Sequence, residues 1–367
     1  MAVTVGAGEI LRLRLAAQRI ETPAGAGSDG TALTVLDAAR QLFAVQGQDF
    51  IQGGWALGVR APGSRLSDLT AALDAGEIVR GAPFRGTLFF VPAEELRWIL
   101  GVTSPRTLAG SATRQRQLGL DAAALDRARD ATIAALQGGG ALARDEYFAL
   151  LRSIDIDPSA QRGYHVIWYL AQTGLICWGP SSGTQQALVL LDEWVPSSRD
   201  LAGDEALREL ALRYFTGHGP ATLRDFAWWS KLTLASARAG LALAAEALVE
   251  LEHDGETYWA SAREVDLAAG RRRSTAVHAL PGFDEYLLGY TDRSLPLDDE
   301  HFARIVPGGN GIFLPMIVAG GRIVGTWRRA EKSGGVVVTP DAFGDLSERE
   351  TTAFGWAAEA FARFRSG

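Results

Sequence analysis

The sequence predicts an α+β protein made of three tandem winged-helix units followed by a C-terminal β-rich region. From Thr34 onward, one pattern of helices, a glycine or short polar break, and a β-hairpin occurs three times. A helix-turn-helix followed by a β-hairpin wing is the winged-helix plan. Residues 271–345 differ, because short apolar runs alternate there with glycine-rich turns. A chain of 367 residues is also longer than one simple core requires.

The chain before and within the first copy alternates helix and turn signals. Apolar residues interleaved with arginine and glutamine predict a helix over 8–20, and a Pro-Gly-Ala-Ser stretch over 23–30 ends it. The first copy is expected to have helices over 34–46 and 67–75. Gly76 ends the second of these helices, and a strand from Glu77 leads into another strand over 84–91.

The second and third copies repeat the pattern with three helices each. In the second copy, we expect helices near 121–137, 143–153 and 161–173, then strands over 175–178 and 186–191. In the third copy, we expect helices near 204–216, 221–229 and 233–246, then strands over 247–252 and 257–260. Thr222 is the expected cap of the helix whose apolar face begins at Leu223.

These patterns predict five divisions of the chain. They are an N-terminal helix and linker (1–30), winged helix 1 (31–105), winged helix 2 (106–198), winged helix 3 (199–270), and a β-rich region with a terminal helix (271–367). The terminal helix is amphipathic and is expected near 347–364.

Composition narrows the functional classes. No run of about 18 apolar residues is present, so no membrane span is expected. Arg12, Arg14 and Arg19 interrupt the apolar N-terminal segment, which argues against a signal peptide and favours a cytoplasmic location. A single cysteine, Cys177, excludes an internal disulfide and a cysteine metal cluster. The five histidines do not have metal-ligand spacing, so neither a metal nor another cofactor is expected.

The net charge of −7 does not by itself exclude DNA as a partner, because cations can gather on one face. Residues 105–116 contain Arg106, Arg114 and Arg116 and no acidic residue. A second basic cluster, which includes Arg271 and Arg272, falls in an expected loop. Both clusters are candidate phosphate-binding sites, and a solvated surface explains them about equally well.

Six sequence blocks carry a family resemblance. They are Val45–Asp49, Arg85–Leu88, Leu191–Pro196, Gly219–Ser230, Phe283–Tyr290 and Gly325–Arg329. Taken together, they resemble the AlkZ/YcaQ family of winged-helix DNA glycosylases over nearly the whole chain. The resemblance implies tandem winged helices that form a concave DNA-binding surface, with Arg85 among the residues that bind DNA. It also implies removal of alkylated purines, and some members of the family unhook interstrand crosslinks.

The catalytic motif of that family is glutamine, a small or apolar residue, then glutamine or aspartate. Gln46 and Gln48 match this motif, and the resemblance therefore implies a catalytic role for both. Gly47 departs from the aliphatic residue that is commoner at the middle position. Phe89 stands where family members often have histidine, so any contribution of an imidazole is absent here.

Glutamine can support this chemistry without acting as a base. Its amide is neutral and is a poor general base, but an N7- or N3-alkylated purine already carries positive charge and leaves readily. Two amide oxygens can hold a water molecule and stabilise positive charge on the sugar. In the alternative interpretation, Gln46 and Gln48 only hydrogen-bond the end of a helix. Asp49 is expected either to orient the water or to end the helix.

The sequence thus favours a monofunctional DNA glycosylase that binds double-stranded DNA as a monomer, does not bind membranes, and uses water as its nucleophile. Only two lysines, Lys231 and Lys332, could form the Schiff base of a strand-cleaving enzyme, and both fall at expected surface positions. The alternative is a non-catalytic winged-helix DNA-binding or regulatory protein, because a fold does not fix a function. The sequence leaves open which lesion is the substrate, which wing contacts DNA, and whether the role is general repair or self-resistance.

Overall fold

The computed structural model describes residues 3–21, 32–183, 185–269, 275–333 and 335–366. The chain divides into two compact units. Unit 1 comprises residues 1–69 together with 207–367, and unit 2 comprises residues 70–206. Unit 1 is therefore built from the two ends of the chain, and unit 2 from its middle.

Helices and strands alternate along the described chain. The first elements are β1 (Val3–Thr4), α1 (Ala7–Ala17), α2 (Val35–Leu42), β2 (Val45–Gln46), α3 (Phe50–Gly58) and α4 (Leu66–Asp74). Next come β3 (Ile78–Phe84), β4 (Thr87–Pro92), α5 (Ala93–Gly110), α6 (Ala112–Gln117), α7 (Ala122–Leu136), α8 (Arg144–Ser153), α9 (Arg162–Gln172), β5 (Ile176–Ser182), β6 (Gln185–Leu190) and α10 (Leu191–Trp194). The last are α11 (Gly203–His218), α12 (Leu223–Ser230), α13 (Leu234–Ala244), β7 (Leu248–His253), β8 (Glu256–Ser261), α14 (Ala262–Ala268), β9 (Val277–Leu280), α15 (Glu285–Leu288), α16 (Phe302–Ile305), β10 (Met316–Ala319), β11 (Arg322–Lys332), β12 (Gly335–Ala342) and α17 (Glu348–Arg365).

Unit 1 contains two sheets, and helices cover them. One sheet has the order β1-β7-β8, in which β1 runs parallel to β7 and β7 pairs antiparallel with β8. The other is antiparallel and has the order β12-β11-β10-β9. Helix α1 packs apolar residues against both β7–β8 and α15, and α17 packs Phe361 and Phe364 against Trp55 and Trp327. Segments from both ends of the chain therefore share one core.

Unit 2 has a hairpin sheet and an apolar core. Its strands run in the order β4-β3-β5-β6, and each neighbouring pair is antiparallel. Helices α7, α8 and α9 cover this sheet with aliphatic residues, and Tyr147 forms a buried hydrogen bond of 2.8 Å with Thr132. Burial raises the pKa of Tyr147 to about 12, so its hydroxyl stays protonated near neutral pH.

The structure corrects the first predicted copy in two places. The helix expected over 34–46 ends at Leu42, because Phe43 has a φ of 68° and the chain then extends into β2. Helix α3 was missed because Gly53, Gly54 and Gly58 lower helix propensity. The last of these glycines is there for packing, since a Cβ at Gly58 would lie 2.7 Å from the ring of Phe364.

The structure also gives the secondary structure of further segments that the sequence analysis singled out. The basic stretch over 105–116 is helical, with Arg106 in α5 and both Arg114 and Arg116 in α6, although Pro105 lies inside α5. Asp284 caps α15, and Glu285 is the first residue of that helix. The terminal helix and the β-rich region with strands β9–β12 are as expected.

The α+β fold class is confirmed, and the β3–β4, β5–β6 and β7–β8 hairpins each follow helices, which is compatible with the winged-helix pattern. The five-part division of the chain stays a prediction. Across the described ranges, none of the helices has both the length and the apolar character needed to cross a membrane.

Candidate functional site

The Gln46–Gln48 pair immediately precedes α3 in unit 1, with Gln46 at the end of β2 and Gln48 just before the cap residue of the helix. Val45, just before it, is fully buried, Gln46 is half-buried, and Gln48 is exposed. The Oε1 atom of Gln46 is buried and accepts no hydrogen bond from any residue that the structure describes. Leaving a buried acceptor unsatisfied costs about 1–3 kcal/mol, so such an atom requires an explanation. An amide oxygen held in this way is a ready acceptor for a water molecule or a substrate group.

Asp49 caps the helix that follows the pair. Its Oδ1 atom accepts hydrogen bonds of 3.0 Å from the backbone N–H groups of Ile51 and Gln52. Aspartate is among the best residues for this role, because it satisfies donors that the first helical turn leaves unpaired. This capping interaction supports a structural role for Asp49. It does not test whether Asp49 also orients water.

Helix α3 is fixed to the C-terminal sheet of unit 1. The indole of Trp55 donates a 2.7 Å hydrogen bond to the carbonyl of Ala279, and Gln52 accepts a 2.9 Å hydrogen bond from the N–H of Gly282. Gly58 lets Phe364 of α17 approach the helix backbone. These contacts hold the helix, and with it the preceding Gln46 and Gln48, in one position.

A buried ion pair lies at the other end of the same helix. The guanidinium of Arg60 contacts both carboxylate oxygens of Asp284 at 2.8 and 2.9 Å, and both side chains are fully buried. Arg60 also donates to the backbone and side-chain oxygens of Gln18 at 2.8 Å. Because every partner is close and well placed, the desolvation cost of the two charges is largely offset.

A second buried group joins two of the sequence blocks. Glu285 accepts a 2.9 Å hydrogen bond from the indole of Trp229 and lies 3.3 Å from Nε2 of His218. Tyr290 donates to the carbonyl of His218 at 2.7 Å, and the Arg14 guanidinium lies 3.6 Å from the centroid of its ring. The Gly219–Ser230 and Phe283–Tyr290 blocks therefore meet in the core, where they support the fold.

The loop that follows the second block is tied to α12. Asp225 accepts hydrogen bonds from the N–H and hydroxyl of Thr291 at 2.7 and 2.6 Å, and Thr222 caps α12 as expected. Of the adjacent tryptophans, Trp229 is fully buried.

The predicted DNA-binding arginines that the structure describes lie in unit 2. Arg85 occupies the β3–β4 turn with a φ of 54°, and its guanidinium lies 5.2 Å from the Phe89 ring centroid. Arg106, Arg114 and Arg116 are exposed on α5 and α6. Arg271 and Arg272 lie outside the described residues.

The two arginines of α6 have neutral partners. Arg114 donates to the side chain of Gln117 at 3.5 Å, and Arg116 donates to the hydroxyl of Thr113 at 3.0 Å. Neither forms an ion pair with any residue in the part of the chain that the structure describes. Their positive charges are therefore available to an anionic partner, and their phosphate-binding role stays a prediction.

His165 was missed by the sequence analysis. It stacks on Trp168 with 5.1 Å between ring centroids, and Trp168 donates to the carbonyl of Gly86 in the β3–β4 turn at 3.1 Å. Burial lowers the pKa of His165, and the charge of Arg114 lowers it further. The local signal was a His-x-x-Trp spacing, which places both rings on one helical face.

A basic cleft in unit 1 was also missed. Arg304, Arg328 and Arg329 line it, and Gln52 of α3 lies at its border. The sequence signal was the Arg-Arg pair in the Gly325–Arg329 block. Among the residues that the structure describes, no group of histidine, cysteine, aspartate and glutamate side chains is arranged to hold a metal ion.

Comparisons with known proteins place this architecture in a family. Residues 39–364 match the model of the DNA glycosylase AlkZ-like family. The interstrand DNA cross-link repair glycosylase of Streptomyces sahachiroi is 28% identical over 224 residues, which are 57% of this chain and 58% of that protein. The aligned region thus spans somewhat more than half the length of this curated relative. The solved structure of Streptomyces sahachiroi DNA glycosylase AlkZ has the same fold, with a TM-score of 0.82 at 22% identity over 99% of this chain and 97% of that one. The chain belongs to the AlkZ-like DNA glycosylase family.

Proposed function

We propose that this protein is a monofunctional DNA glycosylase that excises N7- and N3-alkylated purines from double-stranded DNA. The observation that carries the proposal is the placement of Gln46 and Gln48 before a fixed helix, with the Oε1 atom of Gln46 buried and accepting no hydrogen bond from the described residues. Family membership supplies the reaction class. We further propose that the protein acts in the cytoplasm as a monomer.

The reaction needs little acid or base assistance. In an alkylated purine nucleotide the base is cationic, so the electron pair of the glycosidic bond leaves with the base and neutralises it. The sugar becomes oxocarbenium-like, and the oxygen of a water molecule bonds to C1′ and then loses a proton to solvent. The amide oxygens of Gln46 and Gln48 would align that water and stabilise the positive charge on the sugar.

Water, rather than an amine, is the nucleophile that we assign. Lys231 lies at the C-terminal end of α12 and Lys332 at the end of β11, and both are exposed. An amine that forms a Schiff base is usually activated by a desolvated pocket or by a neighbouring cation. We therefore expect an abasic product whose strand is not cut.

Bulky adducts and crosslinks form a second substrate class to test. The Streptomyces sahachiroi relative is named for interstrand cross-link repair. A purine alkylated at N7 by a crosslinking agent carries the same positive charge as one that is methylated. The same water attack would release it and free one strand, so we extend the proposal to N7-linked crosslinks.

The experiment is to incubate the protein with a duplex that carries N7-methylguanine and to quantify the free base. We expect released N7-methylguanine and a full-length strand that breaks only on later alkaline treatment. DNA binding without base release would support the non-catalytic alternative. Borohydride added during turnover should trap no protein–DNA adduct, and a trapped adduct would show that an amine attacks.

A further inference from the structure

A sharp turn of the backbone lies just before the proposed catalytic pair. It is centred on Phe43, which follows the last residue of α2 and has φ and ψ angles of 68° and −39°. A bulky residue with positive φ is an outlier, because its Cβ crowds its own backbone. Such conformations persist only where the surrounding structure enforces them, and they are concentrated at functional sites. This turn redirects the chain from α2 into β2, which ends at Gln46.

Helix α11 holds the turn from one side. The guanidinium of Arg213 lies 5.4 Å from the centroid of the Phe43 ring, which is fully buried. One helical turn further along α11, Gly217 packs directly against the backbone of α2. A Cβ at Gly217 would lie 2.5 Å from the carbonyl oxygen of Gln41 and 3.2 Å from the Cα of Leu42. Only glycine therefore allows the two helices to approach this closely.

The two helices that form this contact are themselves anchored in unit 1. Gln41 of α2 donates a 2.8 Å hydrogen bond to the carbonyl of Ala17 in α1. The hydroxyl of Tyr214 in α11 donates a 2.9 Å hydrogen bond to the carbonyl of Gly289, which follows α15. The end of α2 is thus held between α1 and α11, so a change in either contact is transmitted to the turn.

The geometry of the turn sets the position of Gln46. Ala44 and Val45, which link Phe43 to Gln46, are both fully buried. A chain advances at most ~3.3–3.6 Å per residue, so Gln46 lies within roughly 10 Å of the turn. At that distance, a rotation of ~10° about the Phe43 backbone moves Gln46 by as much as ~1–2 Å. A misplacement of about 1 Å can lower a catalysed rate on the order of a hundredfold.

We propose that Phe43 and Gly217 are positioning residues for base excision, because they fix the turn that places the Gln46 amide for the attacking water. The inference rests on the proposed glycosylase function and extends it to residues outside the motif. Both residues are buried, so neither is assigned a contact with DNA. Their effect should therefore appear in the rate of base release and leave the affinity for DNA unchanged.

The test compares Gly217→Ala with the matched control Gly355→Ala. Both changes place a methyl group within a helix of unit 1, but the one at position 217 collides with Gln41, whereas Gly355 of α17 has open space around it. Release of N7-methylguanine is measured in single turnover at saturating DNA, and the Kd is measured separately. We expect Gly217→Ala to release the base at least about tenfold more slowly with a Kd within about twofold of the parent value. Gly355→Ala should match the parent protein in both measurements.

A second variant, Phe43→Leu, separates positioning from simple loss of folding. Leucine keeps an apolar side chain but removes the ring beside Arg213, so we expect a several-fold slower release at the parent Kd. A merely structural role would reduce the fraction of folded protein, and with it the amplitude of single-turnover release, while the rate constant stayed at the parent value. Should Gly217→Ala fail to fold, the rate constant of Phe43→Leu decides alone.

The possible failures are distinguishable. Parent rate constants in the folded fractions of both variants would overturn the inference and leave the glycosylase function intact. A raised Kd at the parent rate constant would also overturn it, because the two residues would then act on binding. Absence of base release by the parent protein would instead overturn the proposed function.

Discussion

The two units of the molecule differ in where they place their charges. Unit 1 buries the Arg60–Asp284 pair completely, with both partners at 0% exposure. In unit 2 the buried carboxylate Glu95 pairs with Arg199, which is 38% exposed, and Arg129 pairs with Asp126 and Asp130 at the surface. Burying a complete ion pair is expensive unless the geometry is well defined. Unit 1 therefore fixes buried charged side chains in place, whereas the ion pairs cited for unit 2 lie partly or wholly at the surface.

The largest effect is expected from disrupting the buried Arg60–Asp284 pair of unit 1. Arg60→Met would leave Asp284 buried without its cation, and we expect unit 1 to lose about 3–5 kcal/mol of unfolding free energy. Arg129→Gln, the matched change at the surface of unit 2, should cost less than about 1 kcal/mol. Denaturant unfolding measures both. Equal losses in the two variants would contradict the difference that we draw between the units.

The proposed catalytic pair should give the next largest effect. Changing both Gln46 and Gln48 to alanine removes the groups that would align water and stabilise the sugar cation. We expect the single-turnover rate of N7-methylguanine release to fall on the order of a hundredfold or more. The Kd for DNA should change little, since neither side chain is assigned to a phosphate. Excision at the parent rate would remove the pair from the mechanism.

The two arginines of α6 provide a test of DNA binding in unit 2. Replacing Arg114 and Arg116 with glutamine should weaken binding to all DNA sequences alike. The slope of log Kd against log salt should become shallower by roughly one per lost phosphate contact. Competition with undamaged duplexes of different sequence tests the uniformity. A change confined to one sequence would point to base recognition instead.

Substitutions of Asp49 should have the smallest effect. They distinguish a role in capping α3 from a role in orienting water. Asparagine caps helices about as well as aspartate, whereas alanine does not, so Asp49→Ala should lose about 1 kcal/mol of stability and Asp49→Asn very little. If capping is its role, Asp49→Asn should release base at close to the parent rate. A stable Asp49→Asn protein with a large loss of rate would assign Asp49 to the orientation of water.

The sequence predicted the parts of the fold that depend on local signals. Thr222 was identified as a cap from neighbouring residues, and the structure confirms it. Helix α3 was missed because it contains three glycines, and the packing reason for one of them, Gly58, is the ring of Phe364, which lies more than 300 residues away in the chain. Arg60 and Asp284 are 224 residues apart, so periodicity could not pair them.

In the candidate site, too, some features could be predicted from local sequence patterns and others could not. Gln46 and Gln48 came from a motif, whereas the Oε1 atom of Gln46 that accepts no hydrogen bond from the described residues became visible only in the fold. The cleft of Arg304, Arg328 and Arg329 joins α16 to β11, and the Arg-Arg pair alone did not indicate it. Contacts between distant segments need the tertiary structure, because no local pattern encodes them.

The central claim is that chemistry and DNA binding depend on different residues in the two units. It is tested most directly by measuring both the single-turnover release rate and the Kd in two variants, Gln46→Ala with Gln48→Ala and Arg114→Gln with Arg116→Gln. We predict that the variant with alanine at 46 and 48 loses base-release rate and keeps the parent Kd. The variant with glutamine at 114 and 116 should have a higher Kd and keep the parent rate at saturating DNA. If both variants lose rate and affinity together, or if the variant with alanine at 46 and 48 loses only affinity, the claim is contradicted.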